Sequence, residues 1–282
     1  MRNRLPEFLK RPIIDTEKTR LVRKILKSNC LNTVCENARC PNKNECYTKN
    51  TATFLILGNI CTRNCRYCNI TCEKPLPLDE KEPRNVAQAV KDLELEYAVI
   101  TSVTRDDLSD GGAEHFANCI YEIRKLTPDV KIEILTPDFK YNTNSLDTII
   151  KSKPDVFNHN IEAVRDIFHS VRPQGNYNNS INVLKYVKQN SDIITKSGLI
   201  IGLGENYDQI KNTMEDLVSA GCDILTIGQY IQPSKNHIPV AKYYSLEEYE
   251  TLKEMAKAVG FKQYQIGPLV RSSYNASNLI ET

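Results

Sequence analysis

Thr53-Phe54-Leu55-Ile56-Leu57-Gly58-Asn59-Ile60-Cys61-Thr62-Arg63-Asn64-Cys65-Arg66-Tyr67-Cys68 carries a short apolar run that breaks at a glycine into three cysteines spaced C-x3-C-x2-C. The run Thr53–Leu57 has the composition of a strand, and Gly58 ends it. A strand that delivers reactive side chains on the loop behind it suits a parallel α/β barrel, where such loops open on the face that collects active sites. Three thiolates on one short loop can each hold one iron of a cubane cluster and leave the fourth iron without a protein ligand. An open metal position marks chemistry, because a fully ligated site is closed to substrate. Structural zinc, with Cys72 as a fourth ligand, is the alternative reading of the same loop.

Downstream the pattern repeats. Apolar, β-rich runs fall at 53–57, 97–103, 130–135, 155–158, 198–203 and 224–230. Helical periodicity lies between them at 85–95, 113–126, 145–151, 161–169 with 180–189, and 207–220, and again at 245–259 after the sixth run. Strands alternating with helices predict βαβ units and a parallel sheet. Six units are too few for a closed eight-fold barrel. The expected fold is therefore α/β, a partial (β/α)6 barrel with N- and C-terminal extensions covering the barrel mouth; an open doubly wound sheet is the alternative. No linker divides the chain, so one structural domain is expected: an N-terminal extension over 1–50, the barrel over 51–260 and a C-terminal extension over 261–282. Residues 16–27 read as an amphipathic docking helix with Thr16 as N-cap, and 30–50 as an irregular segment.

The chain has 282 residues, 40% hydrophobic and 26% charged, with 37 Lys plus Arg against 35 Asp plus Glu. That balance offers no pronounced basic surface for nucleic acid. The first 27 residues are more basic, including Arg2, Arg4, Arg20 and Arg23, but Glu7, Asp15 and Glu17 interrupt them and Ser is scarce, unlike a transit peptide. No apolar stretch has the length of a signal or a membrane span, so the expected location is the cytoplasm, with no membrane partner. Eight of the ten cysteines lie between Cys30 and Cys72. Thiols clustered in a long chain without a secretory signal point to metal or redox chemistry rather than disulfides.

A second set, Cys35-x4-Cys40-x5-Cys46, again puts three thiols in one short segment, beside Pro41, Asn42 and Asn44. Two adjacent three-cysteine sites predict two clusters. Cys30, Cys72, Cys119 and Cys222 match neither set and read as structural or incidental thiols.

With the aromatic Tyr67 just before its third cysteine, the first motif resembles that of the radical S-adenosylmethionine superfamily. The resemblance implies that Cys61, Cys65 and Cys68 hold a 4Fe–4S cluster whose open iron takes the amino and carboxylate groups of S-adenosylmethionine, with Tyr67 near the adenine. The segment Thr33-Val34-Cys35-Glu36-Asn37-Ala38-Arg39-Cys40-Pro41-Asn42 resembles the auxiliary-cluster motif of lipoyl synthases. So do Thr101–Leu108, Asp110–Ala113, Phe157–Asn160, Thr195–Gly198, Gly228–Tyr230 and the terminal Arg271-Ser272-Ser273-Tyr274. Tyr47 and Asn275 depart from residues frequent in that family and touch no ligand position.

Membership would imply an auxiliary 4Fe–4S cluster on Cys35, Cys40, Cys46 and Ser273. Two cleavages of S-adenosylmethionine would each yield a radical that removes hydrogen from a protein-bound octanoyl group. Sulfur from the auxiliary cluster would then enter at C6 and at C8. The implied partners are an octanoylated lipoyl-carrier domain (H protein or a 2-oxoacid dehydrogenase E2 subunit) and a low-potential electron donor of flavodoxin or ferredoxin type. Ser102, Asn158 and Asn160 lie in matching motifs, and Lys196, Ser197 and Gln229 at strand ends that open on the barrel mouth, so all six are expected to contact cofactor or substrate. His159 is expected as a polar group of the same cavity, and Asp106 and Asp107 as polar anchors or solvated loop residues. The rival readings are a two-cluster radical enzyme that only oxidises its substrate, a ferredoxin-like electron carrier and a zinc-stabilised binding module.

Overall fold

The alternating runs resolve, in a computed structural model, into one open sheet covered by helices. The structure describes residues 5–12 and 14–280, so Arg2 and Arg4 lie outside the described residues. The eight strands stand side by side in chain order: β1 (Asn32–Thr33), β2 (Thr53–Ile56), β3 (Tyr97–Ser102), β4 (Lys131–Leu135), β5 (Val156–Asn158), β6 (Ile194–Ile201), β7 (Ile224–Gln229) and β8 (Gln263–Gly267). All neighbours from β2 to β8 are parallel, and β1 adds antiparallel to β2. Among the described residues β1 and β8 do not pair with each other, which leaves the barrel partial. No helix among the described residues is long and apolar enough to cross a membrane.

Helices α2 (Glu82–Asp92), α3 (Ala113–Leu126), α4 (Thr143–Ser152), α5 (Tyr177–Asn190), α6 (Tyr207–Ser219) and α7 (Leu246–Ala258) fill the connections, after an N-terminal α1 (Glu17–Ser28). Their starts are encoded locally. Asn206 with Gln209 opens α6 and Ser245 with Glu248 opens α7, each a reciprocal capping box that satisfies two otherwise orphaned N–H groups. Gly112 opens α3 at φ +92°, and a Cβ there would stand 2.4 Å from Leu57 Cδ1, so only glycine fits between this helix start and the end of β2.

The pleat sorts side chains onto two faces, successive residues pointing to opposite sides. Ile100, Ile132, Ile134 and Phe157 turn outward beneath the helices and are fully buried. The concave face carries polar side chains, Thr53, Thr101, Glu133, Asn158, Lys196 and Thr226, among apolar ones such as Leu55, Val99 and Val156.

Four segments differ from the sequence reading. β6 starts at Ile194, four residues before the expected run, and takes in Thr195, Lys196 and Ser197. Glu162 forms a bridge to Leu199 where helix was expected, with only a 3-10 turn (Arg165–Ile167) and a four-residue helix (Phe168–Val171) behind it. Residues 30–50 are ordered as β1 and two short helices, Val34–Asn37 and Lys43–Thr48, around a fully buried Tyr47. β8 is a strand beyond the expected six and falls within the segment read as a C-terminal extension.

Candidate active site

The loop behind β2 is fixed from several sides. Thr62 donates both its N–H and its Oγ1 hydroxyl to the carbonyl of Thr104 at 3.0 Å, and its Oγ1 accepts from Asp106 N. Arg63 makes paired contacts to two carboxylates: Nε and Nη2 to Asp106 at 2.7 and 2.9 Å, Nη1 and Nη2 to Asp138 at 2.9 and 2.7 Å. Burial works against the Asp138 anion, but Arg63 holds its carboxyl down at about 2. Arg66 N donates to Val171 O, and the 231–243 loop closes over the cysteines, with Ile238 N on Arg66 O and the His237 ring on Cys68 O at 2.9 Å.

Cys61, Cys65 and Cys68 are half-buried. Burial, with the neighbouring Cys65 and Cys61 adding to it, pushes the Cys68 thiol up to about 12. Cys65 is raised by burial and held back by Arg172. Thiols raised in this way, Cys65 and Cys68, are poor anions unless a cationic centre compensates them, which is the chemistry a cluster supplies. Among the described residues no three His, Cys, Asp or Glu side chains converge as a single ion would require. A cubane asks instead for one thiolate on each of several irons.

Next to the cysteines, the Tyr67 hydroxyl stands against Glu162, whose carboxyl is raised by burial and lowered by Arg172. Asn160 Nδ2 donates to Glu162 at 3.0 Å, and Arg172 Nη1 donates to Asn160 O at 3.3 Å. His159 Nδ1 lies 2.9 Å from the Thr136 carbonyl, which can only accept, so the proton is on Nδ1 and Nε2 is a bare acceptor. Burial, then Arg172, lower this imidazole to about 4. Four buried polar atoms in this region lack a partner: Thr136 Oγ1, Asn158 Oδ1, His159 Nε2 and Arg172 Nε. Unpaired, each costs about 1–3 kcal/mol. A cofactor rich in amino, hydroxyl and carboxylate groups matches that demand.

The second cysteine set lies where the two ends of the chain meet. Asn42 Nδ2 donates to Leu269 O at 2.6 Å, Tyr274 OH to Glu45 at 2.7 Å and Lys49 Nζ to Asn275 at 3.3 Å. Thr53 Oγ1 donates to Ser273 Oγ at 2.8 Å, while the Thr53 backbone contacts the Cys35 thiol. Burial pushes Cys35 to about 12 and Cys46 to about 11, with Cys40 adding to both. The C-terminal segment runs along the concave face of the barrel. A Cβ on Gly228 would meet Val270 O at 2.0 Å, and one on Gly198 would meet Ser272 Oγ at 2.9 Å, so both positions must stay bare for the segment to pass.

The expected contacts are not all brought together. Tyr67 and Asn160 meet at Glu162, whereas Asn158 Nδ2 donates to Glu133. Alternation along the strands turns Ser102, Ser197 and Gln229 to the helix side instead. Ser197 Oγ accepts from Ile161 N, and Gln229 is used up between the carbonyls of Ile201, Tyr230 and Lys242 and the donors Tyr244 N and Tyr249 OH. Lys196 is on the concave face, but its Nζ binds both oxygens of Glu133 at 3.0 and 2.9 Å. Asp138, Glu162, Arg172 and His237 were not singled out in the sequence. The first two follow strand ends, a positional signal; Arg172 and His237 lie in loops without one.

The model of the radical SAM superfamily matches residues 55–217, more than half of the chain. A lipoyl synthase of Caldanaerobacter subterraneus subsp. tengcongensis is 50% identical over 274 residues, covering 97% of this chain and 96% of that protein. One of Caldicellulosiruptor bescii is also 50% identical, covering 97% and 94%. Among solved structures, methylornithine synthase (PylB) aligns with a TM-score of 0.56 at 11% identity over 89% of this chain and 78% of that one, a likeness of fold. The chain belongs to the lipoyl synthase family of radical SAM enzymes, whose 4Fe–4S cluster and S-adenosylmethionine suit the loop behind β2.

Proposed function

We propose that this protein inserts two sulfur atoms, at C6 and C8, into an octanoyl group carried by a lipoyl-carrier domain. In this reading Cys61, Cys65 and Cys68 hold one 4Fe–4S cluster and Cys35, Cys40, Cys46 and Ser273 hold a second. Bound there, the first cluster with S-adenosylmethionine supplies a hydrogen-abstracting radical and the second supplies sulfur. An unactivated C–H carbon offers no leaving group, which is why the sulfur needs a radical acceptor.

The chain's own residues do the rest. Arg63, clamped by Asp106 and Asp138, fixes the backbone between Cys61 and Cys65. Tyr67, Asn160 and Glu162 present hydrogen-bonding groups beside that loop, and neutral His159 offers Nε2 as an acceptor. The 231–243 loop covers Cys68 and limits access of water. The observation that carries the two-cluster reading is the meeting of Ser273 and the Cys35 segment on the two sides of Thr53, since a fourth donor must reach three thiols from a distant part of the chain. Serine is a weaker match than thiolate for iron in a sulfide cluster, which suits a cluster that is taken apart.

The partners we propose are an octanoylated H protein or E2 domain and a flavodoxin- or ferredoxin-type donor, in the cytoplasm. Iron and acid-labile sulfide on anaerobically reconstituted protein test the reading. About eight irons per chain should fall to about four in a Cys61/Cys65/Cys68→Ala variant and to about four in a Cys35/Cys40/Cys46→Ala variant. A single cluster indifferent to either change, or zinc in its place, overturns it.

A further inference from the structure

Cys72 belongs to neither cysteine set, and among the described thiols outside those sets only Cys72 and Cys30 are exposed, Cys119 and Cys222 being buried. Its position is not incidental. The chain leaves Cys61, winds through the other two cysteines of the loop and returns so that Ile60–Cys61 and Thr71–Cys72 form a parallel two-stranded ribbon. In that ribbon Cys61 and Cys72 are direct partners, as are Ile60 and Thr71. Paired residues of adjacent strands project to the same side with backbones about 4.8 Å apart. A disulfide spans Cα atoms about 4.4–6.8 Å apart. The ribbon holds only these two pairs, and Thr71, Cys72, Glu73 and Lys74 are all exposed, so its outer edge is free to make the small closing movement.

We propose that Cys72 is a thiol–disulfide exchange site that captures Cys61 whenever the loop carries no cluster, with a low-molecular-weight disulfide as the oxidising co-substrate. The exposed Cys72 thiolate attacks the small disulfide, R–S–S–R, forming a mixed disulfide and releasing one R–S⁻, which takes up the proton Cys72 lost. The Cys61 thiolate then attacks the Cys72 sulfur, forming the Cys61–Cys72 bond and expelling the second R–S⁻, which takes up the Cys61 proton. Two protein thiols are oxidised and one small disulfide is reduced to two thiols. The bond keeps Cys61 off the path to sulfinic acid, from which no thiol reductant returns it. It also makes loading of the loop conditional on prior reduction. When a cluster occupies Cys61, its thiolate is engaged, and exchange stops at the mixed disulfide on Cys72.

The bond itself depends only on the ribbon, whereas its consequence for loading rests on Cys61 being a cluster ligand. The experiment treats full-length protein, stripped of iron under reducing conditions or reconstituted, with oxidised glutathione, followed by acid quench, alkylation and tryptic peptide mapping. Trypsin places Cys61 in 50–63, Cys65 in 64–66, and Cys68 with Cys72 in 67–81, since Lys74 precedes proline. The stripped wild type should yield 50–63 linked to 67–81, the link surviving in Cys68→Ser and vanishing in Cys72→Ser. The reconstituted protein should show glutathione on Cys72 and less than a tenth of that link. Iron uptake by the oxidised wild type should then require a thiol reductant, and uptake by oxidised Cys72→Ser should be at least several-fold less dependent on one. A link that persists in Cys72→Ser, is absent from the stripped wild type, or forms equally in the reconstituted protein overturns the proposal. If the link forms as expected while the iron counts show no cluster on Cys61, the exchange site stands and only its link to cluster loading falls.

Discussion

Replacing Lys196 by Met should be among the most damaging single changes to this fold. Lys196 Nζ sits 3.0 and 2.9 Å from the two oxygens of Glu133, with side chains 1% and 0% exposed. The change leaves an uncompensated carboxylate inside the barrel, and breaking a buried pair in this way costs about 3–5 kcal/mol. Tyr97 OH at 2.7 Å and Asn158 Nδ2 at 2.8 Å still donate to Glu133, which favours the lower end of that range. For a chain of this size about 3 kcal/mol corresponds to roughly 6–12 °C in melting temperature. Glu133→Gln with Lys196→Met removes both charges. Asn158 Nδ2 and Tyr97 OH bond different oxygens of Glu133, so the amide oxygen accepts from Asn158 while the amide NH2 donates to the Tyr97 hydroxyl oxygen, and the double variant should recover at least half the loss. Urea unfolding of the three variants at pH 7, read as midpoint shifts at constant slope, measures this. A single variant within about 1 kcal/mol of wild type, or a double variant no better than Lys196→Met, would refute the reasoning, because either outcome means the pair is not buried as described.

Acid should destabilise the fold through His159. Its folded value of about 4 lies below the ordinary 6.5, so the unfolded chain takes up the proton first as pH falls. Stability is therefore full above about pH 6.5 and is lost down to about pH 4, by about 3 kcal/mol; the difference between wild type and His159→Asn, measured by urea unfolding at both ends of that window, should change by that amount, and a constant difference counts against it. Gly228→Ala drives a methyl into the Val270 carbonyl and should dislodge the C-terminal segment. Reconstituted Gly228→Ala protein should then retain the cluster on Cys61, Cys65 and Cys68 while losing about four irons from the second site; an unchanged iron count would show that Ser273 is not needed there.

Much of the scaffold was legible because helix-facing side chains announce themselves. Ile100, Ile132, Ile134 and Phe157 are apolar, and the strands that carry them were found; α3 was placed residue for residue. Two of the misreadings, β8 and the start of β6, come from strands that carry polar side chains. β8 reads Gln263-Tyr264-Gln265-Ile266-Gly267, with its glutamines turned to the C-terminal segment's side of the sheet, and so lacks an apolar run. β6 was started late because Thr195-Lys196-Ser197 does not look like a strand until Glu133 is known to neutralise Lys196. The same shift explains why Lys196 was expected at the mouth and lies inside the barrel. The cysteine sets were visible from spacing. Arg63 with Asp138, 75 residues apart, left no local signal, nor did the meeting of Thr53 and Ser273.

That last meeting has a consequence for biosynthesis. Thr53 and Ser273 are 220 residues apart, and Glu45 and Tyr274 are 229 apart. A ribosome adding about 5–20 residues per second takes roughly ten to forty seconds to travel between them. The loop of Cys61, Cys65 and Cys68 has its partners once residues 237 and 238 are made, whereas the Cys35 segment emerges earlier and waits for residues 269–275. On the proposed ligand set the second site would be completed after the first, its thiols standing open until residues 269–275 are made.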